Sequence, residues 1–430
     1  MHVKLIAPLA LLFLVCLPPR VAAEAARPAA AAAAEPLPIA RVQALLDSYV
    51  VSGKTSGIVV AVGQDGAPPV FLSAGRIGTS SDAPAAGPDT LWRIYSMTKP
   101  ITAIAAMILV EEGRLKLDQP VGDFLPEWRE MRVIDDPAGS LASHPARHPI
   151  TIRHLLTHTG GLTYQFMGSG PVQADYVKNG LLGGRVPPAE AAAQPRDLAE
   201  FASRLADQPL VAEPGTEWNY SVGLDVLGRV IEVAAGVPLD RFVERRVLAP
   251  LGMSSTYWTV PESQADRLAT SYRWVGAASE PLDTGATSLW LTPPLAPYGG
   301  SGLVSSARDY DRFLRMLDRG GELDGVRLLK RETVWLAMSN LLPPGVQVIK
   351  DVSPATIPAR GFGAGGSVYL HDVPHGVSAG TYGWFGAAGT IAFVDPVKRL
   401  RMTAMVNYMP MKQWPLYDDL VAALYSPTDR

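Results

Sequence analysis

This sequence predicts an α+β protein: an antiparallel sheet flanked by helices and built from both ends of the chain, with a mainly helical lobe inserted between them. Two observations predict it. Short apolar runs bounded by Gly and Pro, the pattern of strands, occur near both ends. Residues 117–297 instead read as helical segments interrupted by Pro and Gly. A length of 430 residues with 47% hydrophobic content supports a large core and two lobes.

The elements follow in chain order. Lys4, an apolar run over residues 5–17 and Val21-Ala22-Ala23 before Glu24 form an export signal, 1–23, which places the mature protein in the periplasm or outside the cell. The run is too short for a stable membrane span. It carries Cys16, the single cysteine, so the mature chain has neither disulfide nor thiol catalyst. Lipidation at Cys16 is the less favoured reading, because Val15 fills a position that is usually small. Residues 24–38 are an Ala-rich linker. Residues 41–50 have helical period, with Val42, Leu45, Leu46 and Tyr49 on one side. Residues 57–63 and 70–75 read as a hairpin. A helix carrying Ser96 stops at Gly113. Helices follow over 151–158, 195–206, 225–235 and 308–317, then strands over 367–370, 389–394 and 401–407. The Asp395-Pro396 turn joins the last two strands, and a helix over 416–425 closes the chain. Residues 39–115 and 298–430 thus form one α/β domain, and 116–297 the inserted helical domain.

The net charge of −3 and the lack of a basic block exclude nucleic acid as an expected partner, leaving a small-molecule substrate. The oligomeric state has no signature. The seven histidines are scattered, and His154 and His158, four apart on a helix, lack an acidic partner at fitting spacing. Structural hydrogen bonding is the reading for both, with no metal and no cofactor expected. Gly376-Val377-Ser378-Ala379-Gly380 fits Gly-x-Ser-x-Gly, but Pro374 and His375 stand where that elbow needs a strand, so Ser378 is read as a loop serine. Gly53-Lys54-Thr55 is a turn.

Chemistry concentrates at Ser96-Met97-Thr98-Lys99. A serine hydroxyl needs a base to become a nucleophile at neutral pH, and residues three apart share a helix face. The apolar run 101–110 buries and desolvates that face. A phenol able to relay protons is offered by Tyr220, in Pro214-Gly215-Thr216-Glu217-Trp218-Asn219-Tyr220-Ser221. An oxyanion hole needs two backbone N–H groups. The Ser96 amide at a helix N-terminus is one candidate, and the segment 383–389, read as an edge strand with small residues, offers the other.

Together these phrases resemble the serine β-lactamase-like superfamily, nearest to family VIII esterases and class C β-lactamases. Ser96-Met97-Thr98-Lys99 matches the first motif. Tyr220-Ser221-Val222 stands at Tyr-x-Asn, and Trp384-Phe385-Gly386 at Lys-Thr-Gly. Leu117-Asp118-Gln119-Pro120-Val121, residues 152–162 and residues 300–307 agree as well, and the similarity covers about 39–425 in order. The resemblance implies a β-lactamase/transpeptidase-like fold with Ser96 as nucleophile and Lys99 and Tyr220 sharing the proton. It further implies the amides of Ser96 and Ala387 as oxyanion hole, and Trp384, Phe385 and Gly386 against the substrate. Which of Lys99 and Tyr220 is the base stays open. Two departures bear on specificity. Val222 replaces the motif asparagine, and Trp384 replaces the lysine that greets a β-lactam carboxylate. An aromatic rim suits a neutral acyl ester, so the expected activity is an exported carboxylesterase. A β-lactamase or D-alanyl peptidase, or an acyltransferase of the same fold, is the alternative.

Overall fold

The computed structural model describes residues 36–187, 192–348 and 359–427. The export signal with Cys16, and the linker up to residue 35, lie outside the described residues.

Helix α1 (Ile39–Val51) buries Val42, Leu46 and Tyr49, the stripe its period dictates. The hairpin follows as β1 (Gly57–Gln64) and β2 (Val70–Gly75), paired antiparallel with Val60 opposite Leu72. The far end of the chain supplies β3 (Arg360–Phe362), β4 (Ser367–Tyr369), β5 (Tyr382–Phe385), β6 (Ile391–Asp395) and β7 (Leu400–Met405). These join the hairpin in one antiparallel sheet, ordered β3-β4-β5-β6-β7-β1-β2, with Val60 of β1 opposite Ala404 of β7.

β1 is apolar along nearly its whole length because both its faces are covered. Ile58, Val60 and Val62 pack with α1 and with α6 (Leu416–Tyr425). Val59 and Ala61 point the other way, into the core that holds α2 (Thr98–Glu111) and α5 (Ala307–Asp318). On that second face Arg401 of β7, fully buried, meets Asp311 of α5 with Nε–Oδ1 at 2.8 Å and Nη2–Oδ2 at 3.3 Å. A Cβ on Gly63 would collide with this guanidinium, which explains the glycine in a strand interior.

Three expectations change. The stretch 117–297 is not purely helical: Arg132–Ile134 pairs with Ser143–Pro145, and Ser271–Val275 with Ala278–Asp283. The first hairpin has three-residue strands, and the second strand of the other is mostly exposed, so neither shows a buried alternation. Ser96 is not inside the α-helix. It lies in a 3₁₀ turn, Tyr95–Met97, and α2 starts at Thr98. The three-residue spacing still works, because 3₁₀ geometry eclipses i and i+3. Lastly, β5 is not an edge strand. β4 covers its first half (Val368 opposite Tyr382, Ser367 opposite Gly383) and is too short to reach Trp384 and Phe385.

In the helical half, α3 (Ile152–Thr157) opens on a capping box. The Thr151 hydroxyl accepts from the His154 N–H, and the Thr151 N–H donates to His154 Nδ1, both at 3.3 Å. Burial pulls the His154 imidazole down to about 4. The native state therefore holds fewer protons than the unfolded chain below pH 6.5. This contribution is complete above the unfolded value and is lost as pH falls from about 6.5 to about 4. It amounts to up to about 3 kcal/mol. Urea midpoints at pH 7 and 4.5 should show the loss, and His154→Gln, which keeps the capping geometry, should flatten it. Ser378 lies in a loop, its N–H donating to Asp395. No helix among the described residues is long and apolar enough to cross a membrane.

Candidate active site

The first turn of α2 is buried all round. That burial puts the Lys99 side chain in the interior, where each N–H needs a partner. Its Nζ lies 3.2 Å from Ser96 Oγ, 2.8 Å from the Gly300 carbonyl oxygen and 3.0 Å from Tyr164 Oη. The carbonyl can only accept, so one N–H is committed to Gly300. With a second directed at Tyr164, the remaining position on Nζ faces Ser96 Oγ. Tyr95, just before the serine, has φ +41°, a costly conformation for an aromatic residue, and it redirects the chain into the turn that presents Ser96.

Tyr220 arrives from the segment preceding α4 (Gly223–Ala235). That segment is zipped to the end of α3: Gly215 N–H donates to Thr159 O, Asn219 N–H to His158 O, and Val222 N–H to Thr163 O. The Tyr220 hydroxyl donates to Ser96 Oγ at 2.6 Å. Its ring is held in an aromatic cluster, stacked on Trp218 (centroids 6.1 Å apart) and met edge-on by His158 (4.8 Å) and tilted by Trp384 (5.6 Å). Lys99 Nζ lies 4.6 Å from the Tyr220 ring centroid. His158, left-handed at the end of α3 (φ +57°), is bonded to Ser221 Oγ through Nδ1. Burial, and then the Lys99 charge, hold this imidazole well below its ordinary value, so it sits neutral behind Tyr220. Burial raises the Tyr164 phenol well above the ordinary range, and the charges of Asp225 and Tyr220 add to this. Tyr164 therefore stays protonated.

Ser96 opens onto a cavity of about 600 Å³ lined by Tyr95, Tyr164, Phe166, Leu182, Trp290 and Ala387, among others. Phe166 stacks on Tyr164 and is 61% exposed at the mouth. The structure thus brings together Ser96, Lys99, Tyr220 and Ala387. Trp384 stands one ring away, against Tyr220 and Phe362, and Phe385 turns to the opposite face against Tyr417. Gly386 lies between them and the cavity wall, where a Cβ would collide with Thr390 and the Ile94 carbonyl. No turn or loop carbonyl among the described residues takes the N–H of Ser96 or Ala387. No cluster of three or more His, Cys, Asp or Glu among the described residues could hold a metal ion.

Sequence reasoning missed Tyr164, the Gly300 carbonyl and Asp225, whose Oδ1 accepts the Gly300 N–H at 2.7 Å. A signal was present, since Tyr164 sits two residues beyond the 152–162 phrase and Gly300 opens the 300–307 phrase. Neither phrase carries a residue pattern that names its chemistry.

The beta-lactamase family profile matches residues 42–425. An uncharacterized protein of Mycobacterium tuberculosis is 38% identical over 330 residues, which cover 75% of this chain and 78% of the relative. Esterase EstB of Burkholderia gladioli is 35% identical over 294 residues, 65% of this chain and 69% of that protein. Among solved structures, EstCE1, described as a hydrolase with promiscuous acyltransferase activity, superposes with a TM-score of 0.74. It is 26% identical, and the match covers 90% of this chain and 98% of that one.

Proposed function

The chain belongs to the beta-lactamase family, and from that premise we propose that it is an exported serine esterase acting on short to medium acyl esters. The observation that carries this reading is the Ser96 hydroxyl, contacted at once by the Lys99 amine and the Tyr220 phenol, and opening onto a cavity whose aromatic and apolar wall also carries Arg185, Asp283 and Ser301.

In this reading Ser96 gives its proton to the Lys99–Tyr220 pair and bonds to the ester carbonyl carbon. The carbonyl oxygen, now negative, takes hydrogen bonds from the N–H groups of Ser96 and Ala387. The C–O bond to the alcohol then breaks, and the alcohol leaves with the proton. Water is activated by the same pair to release the acid and restore Ser96. The Tyr220 hydroxyl, donating to Ser96 Oγ, is well placed for the hand-over to the leaving group. Tyr220→Phe keeps the ring in its cluster and removes only that hydroxyl. It should lower kcat by about 10²- to 10⁴-fold with KM little changed, measured with p-nitrophenyl butyrate.

The test of the assignment is p-nitrophenyl butyrate hydrolysis, with a chromogenic cephalosporin compared on the same preparation. Lactam turnover without ester turnover would reverse it. The described environment favours the ester, because Trp384, a neutral indole in the aromatic cluster, stands at the motif position of the lactam-greeting lysine. Acyl transfer is the second reading, favoured by the description of EstCE1. An added primary alcohol that captures the acyl group faster than water does would establish it. Export predicts a mature protein beginning at Glu24, read by N-terminal sequencing of the exported form.

A further inference from the structure

We propose that Asp225 is the positioning residue of this site, fixing Lys99 through the Gly300 peptide and supplying the buried negative charge that draws the Ser96 proton onto the Lys99 amine. The inference rests on the reading of Ser96 and Lys99 as the acylating pair.

The geometry is a bridge through one residue, Gly300, whose N–H and C=O belong to adjoining peptide units. Asp225 Oδ1 accepts the Gly300 N–H at 2.7 Å, and the carbonyl of the same residue accepts from Lys99 Nζ at 2.8 Å. The carboxylate fixes Gly300 by its N–H, and the C=O of the residue so fixed holds the ammonium that forms on Lys99. The space for the carboxylate is built in. A Cβ on Gly300 would lie 2.8 Å from Asp225 Oδ2 and 2.9 Å from Tyr164 Oη, and one on Gly183 would lie 3.1 Å from Oδ2. Two glycines from separate loops therefore keep the carboxyl group and the Tyr164 hydroxyl around one point beside Lys99. Any side chain at either glycine would press on the carboxyl group.

Asp225 is fully buried, and its Oδ2 has no hydrogen-bond partner among the described residues. A purely structural acceptor for the Gly300 N–H would be cheaper as a neutral amide or hydroxyl, so a lone buried carboxyl oxygen calls for a reason. Burial raises Asp225 to about 7, against the opposing pull of the Lys99 charge and the Gly300 N–H. Its proton is thus exchangeable in the range where the enzyme would work. The titratable groups facing it are Lys99 from α2, Tyr164 from the loop after α3, and Tyr298 from the segment before Gly300. Lys99 is the cation among them. The first turn of α4, which carries Asp225 at its third position, also favours negative charge there.

Placement in the sequence sharpens this. Val222 stands where the resembling lactamases hold an asparagine against the lysine, and it is fully buried beside Gly183. Asp225 lies one helical turn further on the same face, and its N–H donates to the Val222 carbonyl. The polar partner lost at 222 is thus replaced from 225, at one residue's remove and with a charge the asparagine lacked.

The step served is the transfer of the Ser96 hydroxyl proton to Lys99 Nζ as Ser96 Oγ bonds to the carbonyl carbon. Lys99 becomes an ammonium beside an ionised Asp225, so the pair passes from one net negative charge to neutral. The test uses the full protein and a p-nitrophenyl alkylphosphonate, which labels Ser96 once. The labelling rate is followed against pH by p-nitrophenol release and by the mass of the adduct. Asp225→Asn keeps an oxygen for the Gly300 N–H and removes the charge. The amine should then be free of its proton at lower pH and be a weaker base. The acidic limb of the profile should move down by about one pH unit, and the plateau should fall about 10- to 100-fold. An unmoved limb, whatever the plateau, overturns the proposal and leaves a structural role. Wild type that does not label at Ser96 overturns the prior reading of the site instead.

A second measurement needs no variant. Infrared difference spectra of wild type at pH 6, before and after labelling, should lose one protonated carboxyl band, because Asp225 releases its proton to solvent once the Ser96 proton rests on Lys99. A spectrum without a carboxyl change overturns the proposal.

Discussion

Ser96→Ala is expected to lower p-nitrophenyl butyrate hydrolysis by a factor on the order of 10⁴ to 10⁶, with the unfolding midpoint nearly unchanged. The size follows from what the hydroxyl alone supplies. Lys99 and Tyr220 both converge on Ser96 Oγ, so without it neither has a proton to move in the acylation step. The residual rate would come from binding and from any remaining oxyanion contacts. The fold should tolerate the change because Lys99 keeps the Gly300 carbonyl and Tyr164 as partners. A variant as active as wild type would remove Ser96 from the mechanism. Loss of activity together with unfolding would leave it undecided, so the urea midpoint and the rate are measured on one preparation.

The largest stability loss is expected at Asp311 in α5. Asp311→Ala removes the carboxylate that binds Arg401 through two hydrogen bonds and leaves the buried guanidinium with Asp318 at 3.6 Å and the Ala67 carbonyl at 2.6 Å. Both side chains are essentially inaccessible, 0% and 2% exposed, so water cannot replace the lost partner. Breaking such a pair costs about 3–5 kcal/mol, a large part of the ~5–15 kcal/mol that holds an ordinary domain folded. The urea midpoint should fall accordingly. Replacing all three charged partners by apolar residues, as in Asp311→Leu with Arg401→Met and Asp318→Leu, should recover most of the loss, since the expense lies in buried charges left without partners. If the triple variant is no better than the single one, packing at this site outweighs charge.

What could be read from the sequence follows what is local. The strands at the chain ends were legible because central strands covered on both faces become nearly continuous apolar runs, as in Gly57–Gln64 and Ile391–Asp395. The Ala278–Asp283 strand is mostly exposed and gives no such run. The position of Tyr382–Phe385 within the sheet was illegible because strand order depends on distant pairing. At the site, Ser96 and Lys99 are three residues apart and were visible as a pair. Tyr220 was visible by its phrase. Tyr164 and Asp225 were not, because they reach Lys99 only when segments 65 and more residues away close around it. Nothing near Asp225 in the chain distinguishes it from a helix-capping acid.

The pairing of Val60 with Ala404 also has a consequence for how the protein can be made. A ribosome releases the β1–β2 hairpin early, with an open edge of valines, and the strand that closes that edge emerges among the last residues synthesised. Throughout most of elongation this edge is an adhesive surface that needs a chaperone or an unfolded escort. A stop codon before residue 400 should therefore give aggregates in place of a smaller folded protein. A permuted gene that begins at β3 and links the old termini should deliver the central strands consecutively and fold with less help.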